Sequence, residues 1–170
     1  AMGFDGHAIG VVVGGEPAEG ALRIVDLTAP LLPADRPRYL MGMGTPEDIL
    51  NGIERGVDMF DCVLPTRLGR NGSLYTWRGR VNVKNARFAD DLSPIDSECD
   101  CPTCQRYSAA YLRHLYKAEE ILAARLATMP NLWLYHTLIV RARQAIAEGR
   151  FAAFKAATVS ALSSSVNGDW

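Results

Sequence analysis

Residues 38–64 read RYLMGMGTPEDILNGIERGVDMFDCVL. Tyr39-Leu40-Met41 is a short apolar stretch ending at Gly42, the pattern of a buried strand. Thr45 is suited to cap a helix, Pro46 to occupy its first turn, and Glu47 and Asp48 to sit at the positive end of its dipole. Ile49, Leu50 and Ile53 then supply one apolar face and Gly56 a stop. Val57–Leu64 is a second apolar strand, interrupted by Asp58 and Asp61. Strand, helix and strand joined by short links make a βαβ unit, which places the two strands parallel in one sheet and the chain in the α/β class.

Outward from this unit, residues 8–13 (AIGVVV) read as another buried strand between glycines. Residues 14–37, rich in glycine and proline, read as loop with a short apolar piece at Leu22–Leu27. Residues 65–98 read as loop with a little strand at Val81–Val83. Helical spacing then carries one helix from Gln105 to about Ala127 and a second from Leu132 to Glu148, stopped by Gly149. The last twenty residues begin helical and end in Ser163-Ser164-Ser165.

The chain has 170 residues, 48% of them hydrophobic and 22% charged, which is a globular composition and excludes disordered, collagen-like and coiled-coil classes. No apolar run approaches the roughly 18 residues that span a bilayer, and no basic-plus-apolar leader opens the sequence, so a soluble, cytoplasmic protein without membrane contact is expected. The net charge of −1 conceals two asymmetries. Of 18 basic residues only Lys84, Lys117 and Lys155 are lysine. Cys62–Ala89 carries six basic residues and no acid, whereas residues 90–100 carry five acids and no base. Arginine's planar fork suits phosphate and base-edge contacts, so this segregation points to a confined polyanion site or to a solvated surface loop.

Two groups of residues carry chemistry. Asp61 falls near the C-terminal end of a parallel strand, where α/β folds place their sites, and an acid among Met59, Phe60, Val63 and Leu64 is costly to bury without a partner. The segment Pro65–Gly72 that follows combines Arg67 and Arg70 with glycines that admit close backbone approach, or else is an ordinary turn. Cys99, Cys101 and Cys104 form a Cys-x-Cys-x-x-Cys run. That spacing closes poor disulfide loops and reads as metal thiolates, with Zn²⁺ the default ion.

The segments FDGHAIG (4–10), RYLMGMGTPEDIL (38–50), ERGVDMFDCVLPTRLGRNGSLYTWRGRVNVKNARFADD (54–91), CDCPTC (99–104), YLRHL (111–115) and EGRF (148–151) together resemble the C-terminal part of bacterial tRNA-guanine transglycosylase, also called queuine tRNA-ribosyltransferase. The resemblance implies a (β/α)8 TIM barrel carrying an inserted zinc-binding subdomain and C-terminal helices. Residues 1–90 would be the last βα units of an incomplete barrel, 91–152 the zinc subdomain and following helices, and 153–170 a tail. It implies exchange of guanine-34 in GUN-anticodon tRNAs for a 7-deazaguanine, preQ1 or queuine, in queuosine biosynthesis. Asp61 would be the nucleophile, forming a covalent intermediate with the ribose. Val11, Val12, Glu16, Tyr39 and Met41 would hold the base. Gly42, Met43, Gly44, Thr45, Pro46, Glu47 and Asp48, together with Thr66, Arg67, Leu68, Gly69 and Arg70, would contact tRNA. Cys99, Cys101 and Cys104 would bind one Zn²⁺.

The sequence departs from this family in three places. Its length is below the roughly 250 residues of a TIM barrel, and only three strands are legible, so a homodimer or a complementary N-terminal half is the expected partner. The family's histidine ligand position is Pro130, which cannot coordinate; His114, His136 or water would have to complete the site. A β-branched Val11 stands where the family has a glycine that contacts the base. Two further readings follow from these departures: a non-catalytic RNA-binding or partner subunit, and a relative acting at another site in tRNA or on DNA.

Overall fold

In a computed structural model of the chain, residues 3–10 and 18–163 are described. The chain forms two compact units, one ending at Leu64 and the other starting at Pro65.

The first unit is α/β. Strands β1 (His7–Ile9), β2 (Arg38–Leu40) and β3 (Met59–Phe60) make a sheet in the order β1-β2-β3, both pairings parallel. The expected βαβ unit is present, with helix α2 spanning Pro46–Glu54 between β2 and β3. Its start follows from side-chain chemistry. Thr45 accepts from the Asp48 amide and Asp48 accepts from the Thr45 amide, so two donors left over at the helix end are satisfied reciprocally. Ile49 and Leu50 face inward. The core joins Ile9, Val25, Ala29, Leu40 and Val57.

Two expectations need correction here. Of the strand expected over residues 8–13, β1 covers Ala8 and Ile9, and Val11–Val13 lie outside the described residues, whereas the strand expected over Val57–Leu64 is shorter than its apolar run. β3 holds only Met59 and Phe60, Asp61 lies just beyond it, and helix begins at Leu64. Residues 14–37 are not mostly loop, since Ala18–Thr28 is helix α1, followed by a 3-10 turn at Ala29–Leu31. Its buried residues Ala21, Val25 and Ala29 recur at every fourth position, a helical stripe masked by the flanking glycines and prolines.

The second unit is mainly helical around a β-hairpin. Helix α3 spans Leu64–Arg70, strands β4 (Ser73–Thr76) and β5 (Gly79–Asn82) pair antiparallel, and helices α4 (Pro102–Arg106), α5 (Ala109–Lys117), α6 (Ile121–Ala147) and α7 (Phe151–Ser163) follow. Within residues 65–98, helix α3 and strand β4 stand where loop was expected, the little strand expected at Val81–Val83 falls in part on β5, and the stretch beyond it is turn and loop with a 3-10 turn at Ala86–Phe88. The expected helix over Gln105–Ala127 is divided into α4, α5 and the start of α6. The chain is extended at Tyr107, Ser108 caps α5, and Glu119 adopts a positive φ of 56°. The expected start near Leu132 is also displaced, because α6 runs through Pro130.

Pro130 is tolerated for a specific reason. A proline lacks the N–H that would bond the carbonyl four residues earlier. That carbonyl, on Leu126, instead accepts from the Thr103 hydroxyl at 3.0 Å. The adjoining core holds Leu74, Val81, Val83, Phe88, Cys101, Cys104, Leu112 and Ala127. Asn131, fully buried on α6, ties the unit together by accepting from the Tyr75 amide and donating to the carbonyls of Pro65 and Ser73. No described helix is long and apolar enough to cross a membrane.

Candidate active site and metal centre

The parallel register places Tyr39 opposite Met59 and Leu40 opposite Phe60, so β2 and β3 end side by side. Asp61 is the first residue beyond β3. Two donors from the end of β2 converge on its Oδ1: the Tyr39 hydroxyl at 2.6 Å and the Gly42 amide at 2.8 Å. The hydrogen bond from Tyr39, and then that from Gly42, hold the Asp61 carboxyl below its usual range. The same bond and the neighbouring carboxylate raise the Tyr39 hydroxyl. Asp61 is therefore an exposed, ionised carboxylate fixed at a strand end, and the expected cost of burying it does not arise.

Gly42 has a φ of 71°, which lets the backbone turn its amide toward Asp61. Gly44 is buried, and a Cβ there would lie 2.7 Å from the Cβ of Cys62. The 42–45 loop thus closes onto the residue following Asp61 at a distance only glycine allows. Met41 is 45% exposed beside Tyr39 in the chain. In the rest of this segment, Met43 packs on the core, Pro46 is buried, Thr45 and Asp48 are engaged in the capping box, and Glu47 faces solvent. Val11, Val12 and Glu16 lie outside the described residues.

Thr66, Arg67, Leu68, Gly69 and Arg70 lie on α3, in the second unit. Both arginines are exposed, while Gly69 is buried against Thr128, whose Cα a Cβ at Gly69 would approach to 2.9 Å. The Tyr116 hydroxyl donates to the Gly69 carbonyl. Helix, rather than a glycine-rich turn, therefore presents Arg67 and Arg70. Part of the basic stretch is already paired: Arg78 meets Glu98 of the acidic run at 3.2 Å. The role of Tyr39 as a hydrogen-bond donor to Asp61 has no local sequence signal. It follows only from pairing β2 with β3 in register.

The Sγ atoms of Cys99, Cys101 and Cys104 lie within 4.8 Å of one another. A tetrahedral ion with Zn–S bonds of about 2.3 Å needs sulfurs about 3.8 Å apart, so the trio fits three vertices. The local fold gathers them. Asp96, itself buried, accepts from the amides of Trp77 and Glu98, and its carbonyl accepts from the Cys99 amide. The Cys104 amide donates to the Cys101 sulfur at the start of α4. Hydrogen bonds from Cys104 and Cys99 pull the Cys101 thiol far down, and donation to Cys101 pushes the Cys104 thiol up. Among the described residues, neither His114 nor His136 joins the group, and both are exposed.

A family model described as queuine tRNA-ribosyltransferase matches residues 1–164. Curated proteins of that name are similar to the chain. The one from Novosphingobium aromaticivorans is 57% identical over 91% of this chain and 41% of its own length. The one from Zymomonas mobilis is 52% identical over 90% and 40%, and the one from Caldanaerobacter subterraneus 56% identical over 91% and 41%. The chain thus spans about two-fifths of the length of these relatives.

Proposed function

The chain belongs to the queuine tRNA-ribosyltransferase family, and from that premise we propose that it is the C-terminal portion of a tRNA-guanine transglycosylase with Asp61 as its nucleophile. The observation that carries this reading is the ionised Asp61 carboxylate, exposed at the end of β3 with Oδ1 held by Tyr39 and Gly42. Attack through Oδ2 leaves both of those bonds in place. Asp61 attacks C1′ of the ribose at position 34, and guanine departs with the electron pair of the glycosidic bond and is protonated. The incoming 7-deazaguanine, preQ1 or queuine, loses its ring proton as its nitrogen attacks C1′ and releases Asp61. Two displacements at one carbon return the original configuration.

In this reading Tyr39 and Met41 sandwich the base between an aromatic ring and a thioether, with Val11, Val12 and Glu16 as the remaining base contacts. The Gly42–Asp48 stretch and Thr66–Arg70 on α3 would contact tRNA, Arg67 and Arg70 through phosphate or base edges of a GUN anticodon loop. One Zn²⁺ is the ion of the cysteine site, where it would supply structural cross-linking of the segment around α4. The parallel β1-β2-β3 sheet is the last part of a (β/α)8 barrel, with 1–90 its βα units, 91–152 the zinc subdomain and following helices, and 153–170 a tail. In this reading the edges of β1 and β3 pair with strands of a second copy or of a complementary N-terminal half, in the cytoplasm.

The test is exchange of labelled guanine into a GUN-anticodon tRNA, by the chain alone and with the N-terminal half of a relative added. Exchange that Asp61→Asn abolishes is the expected result. Exchange that survives in Asp61→Asn overturns the nucleophile. A second reading, a non-catalytic partner subunit, is favoured by Pro130 at the family's histidine position. It predicts tRNA binding without exchange in either arm.

A further inference from the structure

We propose that Cys99, Cys101 and Cys104 form a three-thiolate metal site whose fourth position is open to a small exogenous ligand, water or a low-molecular-weight thiol, because the α6 residue facing it is Pro130. The inference rests on reading the cluster as a metal site.

Helix α6 crosses the cysteine segment at two anchor points. The Leu126 carbonyl accepts from Thr103, between Cys101 and Cys104, and the Trp133 indole donates to Asp100, between Cys99 and Cys101. Residues 126, 130 and 133 share one helix face, so position 130 falls between the anchors. Pro130 is wholly buried there, and its side chain has no atom that could coordinate a metal. Thr103 is itself 1% exposed, and its bond uses the carbonyl that the proline leaves without a helical donor. The segment is therefore clasped to α6 by a neutral hydrogen bond that needs no metal ligand from the helix.

The remaining donors nearby are committed elsewhere. Asp100 accepts from Trp133, and with Glu98, His136 and Arg141 it lines a cavity of about 410 Å³ that none of the three cysteines lines. His136 is exposed on that cavity and His114 is exposed on α5. Among the described residues no fourth cysteine, histidine or carboxylate stands with the three sulfurs. A four-coordinate ion on three protein ligands takes its fourth from solution, the arrangement that makes a metal site reactive toward added ligands.

The test loads the full chain with Co²⁺, whose ligand-field bands report the fourth ligand and whose sulfur charge-transfer bands report the thiolates. Titration with 2-mercaptoethanol should shift the ligand-field bands of the parent protein. Asp100→Asn and His136→Ala should leave those bands unchanged. Pro130→His should make them unresponsive to thiol and raise zinc affinity, measured by chelator competition, on the order of a hundredfold. The proposal is overturned if the parent bands ignore thiol, or if Asp100→Asn or His136→Ala alone changes them, since either places a protein ligand at the fourth position. A folded chain that retains neither Co²⁺ nor Zn²⁺ refutes the metal reading itself. The parent, Asp100→Asn and His136→Ala arms do not depend on Pro130→His folding.

Discussion

Asn131→Ala tests how the second unit is held together. The side chain is fully buried on α6 and makes three hydrogen bonds to backbone: from the Tyr75 amide at 2.8 Å, to the Pro65 carbonyl at 2.9 Å and to the Ser73 carbonyl at 3.2 Å. Alanine removes all three of these hydrogen bonds at once. Each such bond contributes about 0.5–1.5 kcal/mol net, so losing three should cost roughly 1.5–4.5 kcal/mol, a large part of the ~5–15 kcal/mol of a whole domain. Asn131→Asp should be no milder, because it keeps the acceptor for Tyr75 but turns a carboxylate oxygen toward two carbonyls. The assay is urea unfolding followed by tryptophan fluorescence. All three tryptophans, Trp77, Trp133 and Trp170, follow Leu64 in the sequence and the first unit contains none, so the signal does not report the first unit. The exposed Leu132→Ala serves as control, with an expected change within about 0.5 kcal/mol. A loss below about 1 kcal/mol for Asn131→Ala would refute the reasoning, since it would mean that water or local shifts satisfy those groups.

Three further outcomes follow from the same geometry. Tyr39→Phe removes the largest cause holding the Asp61 carboxyl low, so its pKa rises and the acidic limb of the exchange-rate profile moves to higher pH. The sign is fixed by linkage: a depressed carboxylate keeps its advantage above its unfolded value and loses it as pH falls through the folded one. An unmoved limb would show that Tyr39 does not tune Asp61. Gly69→Ala puts a Cβ 2.9 Å from the Thr128 Cα, and displacing α3 from α6 should cost about 1–3 kcal/mol in the fluorescence assay and weaken tRNA binding in a filter assay. Thr45→Ala opens the capping box of α2 and should cost about 1 kcal/mol by thermal unfolding followed by circular dichroism, with Thr45→Ser largely restoring it.

The βαβ unit was legible because each of its signals is local. Thr45, Pro46, Asp48 and Gly56 mark helix ends by chemistry within four residues, and Ile49 and Leu50 repeat the helical period. Asp61 was legible for the same reason, as a carboxylate at the end of an apolar strand. What could not be read depends on distant partners. Its hydrogen bond from Tyr39 needs the β2–β3 register. Helix α6 passes through Pro130 because Thr103, far away in sequence, supplies the missing donor. Of the hairpin, β5 was partly legible in Val81–Val83, whereas β4 escaped because Ser73, Tyr75 and Thr76 do not alternate as a half-buried strand should, their burial being set by α6 through Asn131. The cysteine spacing singled out three thiols that lie within 4.8 Å of one another, but what surrounds them depends on tertiary packing.

The central claim is that Asp61 forms a bond to ribose, and the most direct measurement is covalent capture. A GUN-anticodon stem–loop is incubated with the chain supplemented by a relative's N-terminal half, then denatured and resolved on a gel without added base. The account predicts a denaturation-resistant protein–RNA adduct that vanishes in Asp61→Asn and is discharged by 7-deazaguanine. An adduct formed equally well by Asp61→Asn would contradict it.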